Sequence, residues 1–151
     1  MWKYQNVNIT ADNLPDNKFG FIYMFTLTKN CKIDGKLYKE GTIYIGKKQL
    51  NFKRRKLITL KQKRLDPSLK RRKYEYIVKA SDWETYYSSS EIIKKIVSSH
   101  GGDIIKREIL LFCETKYQLS FNEIKQMIIH NVDVVPSFNG TIGKFFISKL
   151  K

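Results

Sequence analysis

The chain has 151 residues, 42% of them hydrophobic and 13% aromatic, which is enough to fill one core and excludes a disordered polyelectrolyte. Its 29 Lys and Arg against 14 Asp and Glu give a net charge of +15, a field that favours polyanionic partners, nucleic acid first. The apolar runs at 19–25 and 109–113 fall far short of the roughly 18–20 residues of a spanning helix. The first six residues lack the charged-then-apolar pattern of a leader. Cys31 and Cys113 make neither a disulfide framework nor, with the two histidines, a zinc cluster. These features predict a single domain over 1–151 in the cytoplasm, with reduced thiols, no membrane association and no obligate protein partner.

Residues 19–27 are aromatic and β-branched and predict a strand, and 42–46 predict a second. Asn30, Asp34-Gly35 and Gly41 lie between them and predict an extended hairpin connection. Residues 50–65 are expected to be a helix, with Leu57, Ile58 and Leu65 as a thin apolar stripe. From Lys53 to Lys73 there are eleven basic residues and one acid, Asp66. Lys-Arg-Arg-Lys occurs twice there, at 53–56 and 70–73, and Asp66-Pro67 between the copies breaks any helix. The segment is expected to be a helix and loop lying along phosphates. Its candidate contacts are Lys53, Arg55, Lys56, Lys70, Arg71, Arg72 and Lys73.

Residues 88–99 predict a helix: Ser88 and Glu91 have capping-box spacing, Ile92, Ile93, Ile96 and Val97 form one face, and Gly101-Gly102 ends it. Residues 104–113 predict a third strand. Residues 120–130 predict a helix with Ile124, Met127 and Ile128 facing inward. Pro136 and Asn139-Gly140 mark a loop, and 145–147 predict an apolar tail packed on the core. His100 and His130 read as helix-end residues, and Trp83 with one of Tyr86 and Tyr87 as core.

The two strands of the hairpin carry Phe21-Ile22-Tyr23 and Tyr44-Ile45-Gly46; Arg54 comes eight residues after Gly46, Glu123 lies on the late helix and Asn139 on the loop beyond it. This order resembles the GIY-YIG nuclease family. Tyr-Ile-Gly-Lys-Lys at 44–48, Ser-Asp-Trp at 81–83, Ser-Ser at 88–89, Lys-Arg-Glu-Ile at 106–109 and Gly-Lys-Phe-Phe at 143–146 are similar to its phage-encoded, SegE-like branch. The likeness covers about residues 19–146. It departs from the family pattern at Phe21, where glycine is usual and Gly20 is only adjacent, and in the twenty residues between Tyr23 and Tyr44.

The resemblance implies an α/β (α+β) fold, a three-stranded antiparallel sheet flanked by helices. It implies a metal-dependent endonuclease acting on double-stranded DNA, in homing or phage DNA processing. The alternative is a non-catalytic nucleic-acid-binding protein on the same scaffold. Tyr23 would orient or deprotonate water with Tyr44 as its partner, and a phenol of ordinary pKa near 10 needs a cation field for that. Lys47, Lys48 and Arg54 would supply the field; Lys47 and Lys48 would also contact DNA phosphates, and Arg54 would fork onto a phosphate oxygen, with Arg55 as its rival. Glu123 would hold Mg²⁺ or Mn²⁺, and Asn139 would orient Glu123 or a metal-bound water. Each has a plainer reading. Tyrosines are common in strands, Ser120 and Glu123 have capping-box spacing, and Asn-Gly is a turn.

Overall fold

The computed structural model describes residues 1–150. In chain order the strands and helices are β1 (Trp2–Tyr4), β2 (Val7–Ile9), β3 (Gly20–Leu27), β4 (Cys31–Ile33), β5 (Lys36–Tyr38), β6 (Ile43–Gln49), β7 (Asn51–Leu57), α1 (Leu60–Leu65), β8 (Tyr74–Ala80), α2 (Glu91–His100), β9 (Ile105–Cys113), α3 (Lys116–Ile129), β10 (Thr141–Ile142) and β11 (Phe145–Phe146).

The expected three antiparallel strands are present as β9-β3-β6, but the sheet has five strands in the order β2-β1-β9-β3-β6. The N-terminal hairpin adds the extra two, with β1 running parallel to β9 and Trp2 opposite Arg107. This extension was not legible because three-residue strands carry too little periodicity. Trp2 explains why it forms. Its indole is buried, lies edge-on to Phe21 and Tyr23, and donates from Nε1 to the Trp83 carbonyl at 2.7 Å.

The central strand β3 alternates its side chains between two cores. Phe21, Tyr23 and Phe25 join Trp2, Trp83 and the α2 residues Ile93 and Ile96 on one face. Ile22 joins Ile45 and Cys113 with Leu119 and Met127 of α3 on the other. Helices therefore cover both faces. Between β3 and β6 the hairpin β4–β5 turns at Asp34-Gly35, both at positive φ, as expected of a tight two-residue turn. Cys31 and Cys113 are buried free thiols.

The segment 50–65 is not a helix. Residues 51–57 form β7, paired along its whole length with β8, and only Leu60–Leu65 is helical, ending at Asp66 just before Pro67. A helix would stack the cations of 53–56 on neighbouring turns. A strand alternates them, Lys53 and Arg55 on one face and Arg54 and Lys56 on the other. The partner strand Tyr-Glu-Tyr-Ile-Val-Lys-Ala is rich in aromatic and β-branched residues and sets the conformation of both. No third element packs extensively on this ribbon, so it projects from the body.

Both later helices also differ from the expectation. The helix α2 starts at Glu91 with Ser90 as its N-cap; Ser88 stands outside at φ 80, its hydroxyl accepting from Ser90 N at 3.0 Å. The helix α3 starts four residues earlier than expected, capped by Thr115, which accepts from Gln118 N at 3.1 Å. Its buried residues are Leu119 and Met127, whereas Ile124 and Ile128 are exposed. His100 and His130 do close their helices. Phe145 and Phe146 are exposed, and of the tail only Ile147 is buried.

Candidate active site

The strand β6 is the last of the sheet, so groups from both its faces meet at its outer edge. Tyr44, Gly46 and Lys48 point to the α2 side, and Ile45 and Lys47 to the α3 side. Tyr23 on β3 lies directly opposite Gly46. Its phenol passes over that glycine so closely that a Cβ there would fall 2.5 Å from the hydroxyl and 3.0 Å from the Tyr44 ring. Glycine is thus required at 46 for the two tyrosines to converge. Their ring centroids are 6.2 Å apart, and Tyr86 stands 6.1 Å from Tyr23. Ser88 is buried beside the two phenols.

Tyr23 is only 1% exposed. Desolvation, and then the neighbouring Tyr44 and Tyr86, push its pKa far above the ordinary value of 10. Burial thus favours the neutral phenol at Tyr23 and sets it behind Tyr44. Tyr44 is half-buried, and it is the phenol that opens outward. Burial raises its pKa as well, helped by Tyr86 and Glu123 and opposed by hydrogen bonds from Ser88 and Ser89.

Glu123 lies one helical step from each buried residue of α3, in the series Leu119, Glu123, Met127. That spacing aims it at the sheet. It sits mid-helix, so the capping reading falls: the N-cap is Thr115. Its carboxylate meets Lys47 Nζ at 2.9 Å, and the same ammonium donates to Ser120 Oγ at 3.3 Å. The Glu123 side chain is 22% exposed, so solvent still reaches it. Among the described residues no three His, Cys, Asp or Glu side chains group into a metal site.

The other expected cations are placed differently. Lys48 is buried rather than offered to a phosphate. Its ammonium pairs with Asp82 at 2.5 Å and lies 3.7 Å over the Tyr86 ring. The hydrogen bond from Lys48 holds the Asp82 carboxyl below its usual range. Arg54 and Arg55 both stand on the projecting ribbon on opposite faces, opposite Ile77 and Tyr76. Neither is among the groups around the two phenols. Arg107 is also internal: it donates to the carbonyls of Glu84 and Tyr86 at 3.0 and 3.3 Å and stacks 4.4 Å over Tyr87, fixing the segment that carries Tyr86.

Asn139 does not orient Glu123. Its Oδ1 accepts from Ile45 N at 2.8 Å and its Nδ2 donates to Ile45 O at 2.7 Å. The amide thus acts as one residue of an extra strand. With it, Phe138 N donates to Ile43 O and Ile43 N to Pro136 O, closing the edge of β6 at 43–45 and leaving it open beyond.

Comparison with known families agrees with this geometry. Residues 2–145 match the family described as "Putative endonuclease segE, GIY-YIG domain". The chain belongs to the SegE GIY-YIG endonuclease family. No curated protein and no solved structure matches it. Membership makes DNA the implied substrate and nuclease the implied activity. Tyr23 and Tyr44 stand side by side on the α2 face of the sheet, Glu123 is paired with Lys47 on the α3 face, and Arg54 stands on the ribbon opposite Ile77. Asp82, Tyr86 and Ser88 were not assigned as site residues. The signal for Asp82 and Ser88 lay in the Ser-Asp-Trp and Ser-Ser stretches, whose family likeness says nothing of their roles, and Tyr86 reads from the sequence only as a core candidate.

Proposed function

We propose that this protein is a metal-dependent endonuclease that hydrolyses phosphodiester bonds of double-stranded DNA at the outer edge of β6. The observation that supports this reading is the placement at this edge strand of Tyr44, backed by Tyr23 on one face, and of Lys47 on the other face, 2.9 Å from the Glu123 carboxylate, whose charge is close enough to bear on the Tyr44 phenol. Glu123 suits a divalent ion that prefers oxygen ligands and keeps its waters, such as Mg²⁺ or Mn²⁺: it is a single accessible carboxylate, not consumed by a helix cap. Such an ion would neutralise phosphate charge and make a bound water more acidic.

The remaining chemistry belongs to the chain. Lys47 holds Glu123 in place in the free protein and is the nearest mobile cation for a phosphate oxygen. Tyr44 stays protonated at neutral pH, so it acts by donating a hydrogen bond, to the phosphate or to the attacking water. Tyr23 positions Tyr44 through Ser88 and does not touch the substrate. Lys48 and Asp82 hold Tyr86 against the phenols. The family's arginine role remains with the ribbon residues, as grips on DNA rather than as members of this site.

Nicking of supercoiled plasmid with Mg²⁺ or Mn²⁺ tests the proposal. Glu123→Gln keeps the volume and removes the charge, and it is expected to lower the rate by about 10² or more. Equal nicking by the variant would remove Glu123 from the site. Salt-sensitive binding without cutting under either metal would favour a binding protein instead.

A further inference from the structure

The projecting ribbon β7–β8 carries chemistry that the cutting site does not use. Its two faces differ. One presents Lys53 and Arg55, neither paired with an acid, among Tyr74, Tyr76 and Val78; the other presents Arg54, Lys56 and Lys79 with Glu75 and the less exposed Phe52 and Ile77, and Lys56 lies 3.8 Å from that carboxylate. On the first face Tyr76 is 64% and Val78 61% exposed. Apolar groups set beside unpaired cations in water suit a polyanion that also has an apolar surface to cover. The Arg55 guanidinium lies 5.6 Å over the Tyr74 ring, which limits its freedom before any partner arrives.

Shape narrows the partner. Seven paired residues make a ribbon roughly 20 Å long with a backbone about 5 Å across. A two-stranded ribbon fits the major groove of B-DNA, about 12 Å wide, and would run past roughly six base pairs. The deep, narrow major groove of duplex RNA does not admit it. The ribbon also meets the body at an open cleft lined by Lys18, Gln49, Lys53, Val78 and Lys116. Gln49 and Lys47 share a face of β6, so this cleft opens on the side of the sheet where Glu123 stands.

We infer that the ribbon enters the major groove of duplex DNA with its Lys53–Arg55–Tyr76–Val78 face against the bases and reads their sequence. Arg55 is placed to fork onto a guanine O6 and N7, and Tyr76 and Val78 to cover thymine methyls. Lys70, Arg71, Arg72 and Lys73, between α1 and β8, then lie along the backbone and add affinity without discrimination. This inference rests on DNA being the substrate, but not on cleavage.

The test is binding without metal. In chelator, the full chain selects from a random duplex DNA library, and retained sequences are read alongside guanine-N7 methylation interference. The expected result is a short enriched motif with at least one guanine whose methylation blocks binding. Arg55→Ala should lower preference for that guanine about tenfold or more, and Tyr76→Ala should relax an adjacent position. Arg54→Ala, on the opposite face, should weaken all sequences alike. Both ribbon side chains are exposed, so circular dichroism of the variants should match wild type. Overturning results are no enrichment, or a motif unchanged by Arg55→Ala and Tyr76→Ala, or equal retention of duplex RNA. Sequence-selective binding without nicking under any metal would sink the nuclease reading and leave this one standing. Nicking with no enrichment would do the reverse.

Discussion

Two residues of the site act through backbone rather than chemistry. Asn139 satisfies both the N–H and the carbonyl of Ile45, so its side chain stands in for a neighbouring strand. Asn139→Asp keeps the acceptor, loses the donor and sets a carboxylate against a carbonyl. It should cost about 1–3 kcal/mol, read as a lower denaturant midpoint with an unchanged slope. The asparagine was legible as a candidate, but its partner was not: Ile45 is 94 residues away and the contact is to main chain. Gly46 is the second case. A methyl group there would strike the Tyr23 hydroxyl at 2.5 Å. Gly46→Ala should destabilise the fold and also turn the two phenols apart, lowering both the thermal midpoint and nicking. Wild-type values for both would show that the tyrosine pair tolerates displacement.

At the scale of elements, α3 shows how position along a helix decides a residue's meaning. Ser120 and Glu123 have the spacing of a cap, yet the helix begins with Thr115, and Glu123 falls in line with Leu119 and Met127. A cap motif states a local possibility, and the true start depends on which turn packs against the sheet. The ribbon makes the same point more strongly. Helix propensity favours 50–65, but β8 supplies a partner of Tyr, Ile and Val that outweighs it. Because the ribbon packs chiefly on itself, replacing residues 53–78 by a short turn between Phe52 and Lys79 should leave the body's thermal midpoint close to wild type. The same change should flatten the dependence of DNA affinity on salt, since eleven cations leave with it. An unfolded product would show that the ribbon is part of the core.

Over the whole molecule, the buried phenols make an alkaline limit. Tyr23 and Tyr44 have folded pKa values raised above the unfolded value of 10. The neutral phenol is favoured in the fold. Their contribution is therefore fully present below pH 10 and is lost as pH rises above it toward the folded values. Phenolate absorbance should show the exposed tyrosines ionising first, and Tyr23 only together with unfolding. Titration of all nine tyrosines in a single non-cooperative step, with the fold intact, would contradict its burial.

Some of this was fixed by composition and local pattern alone. Charge, aromatic content, the three central strands, the Asp34-Gly35 turn and the motif tyrosines are local properties, and each survives in the fold. The helix-breaking Asp66-Pro67 and the helix-closing glycines belong with them, because backbone sterics act over a few residues. Tertiary structure alone decided the rest. It chose strand over helix for 51–57, made Lys48 an internal partner of Asp82, buried Tyr23 and left Tyr44 only half-buried, and set Arg54 on the ribbon. Each of these depends on what lies opposite a residue across the sheet or the ribbon, and burial and pairing at that distance leave no mark in the neighbouring sequence.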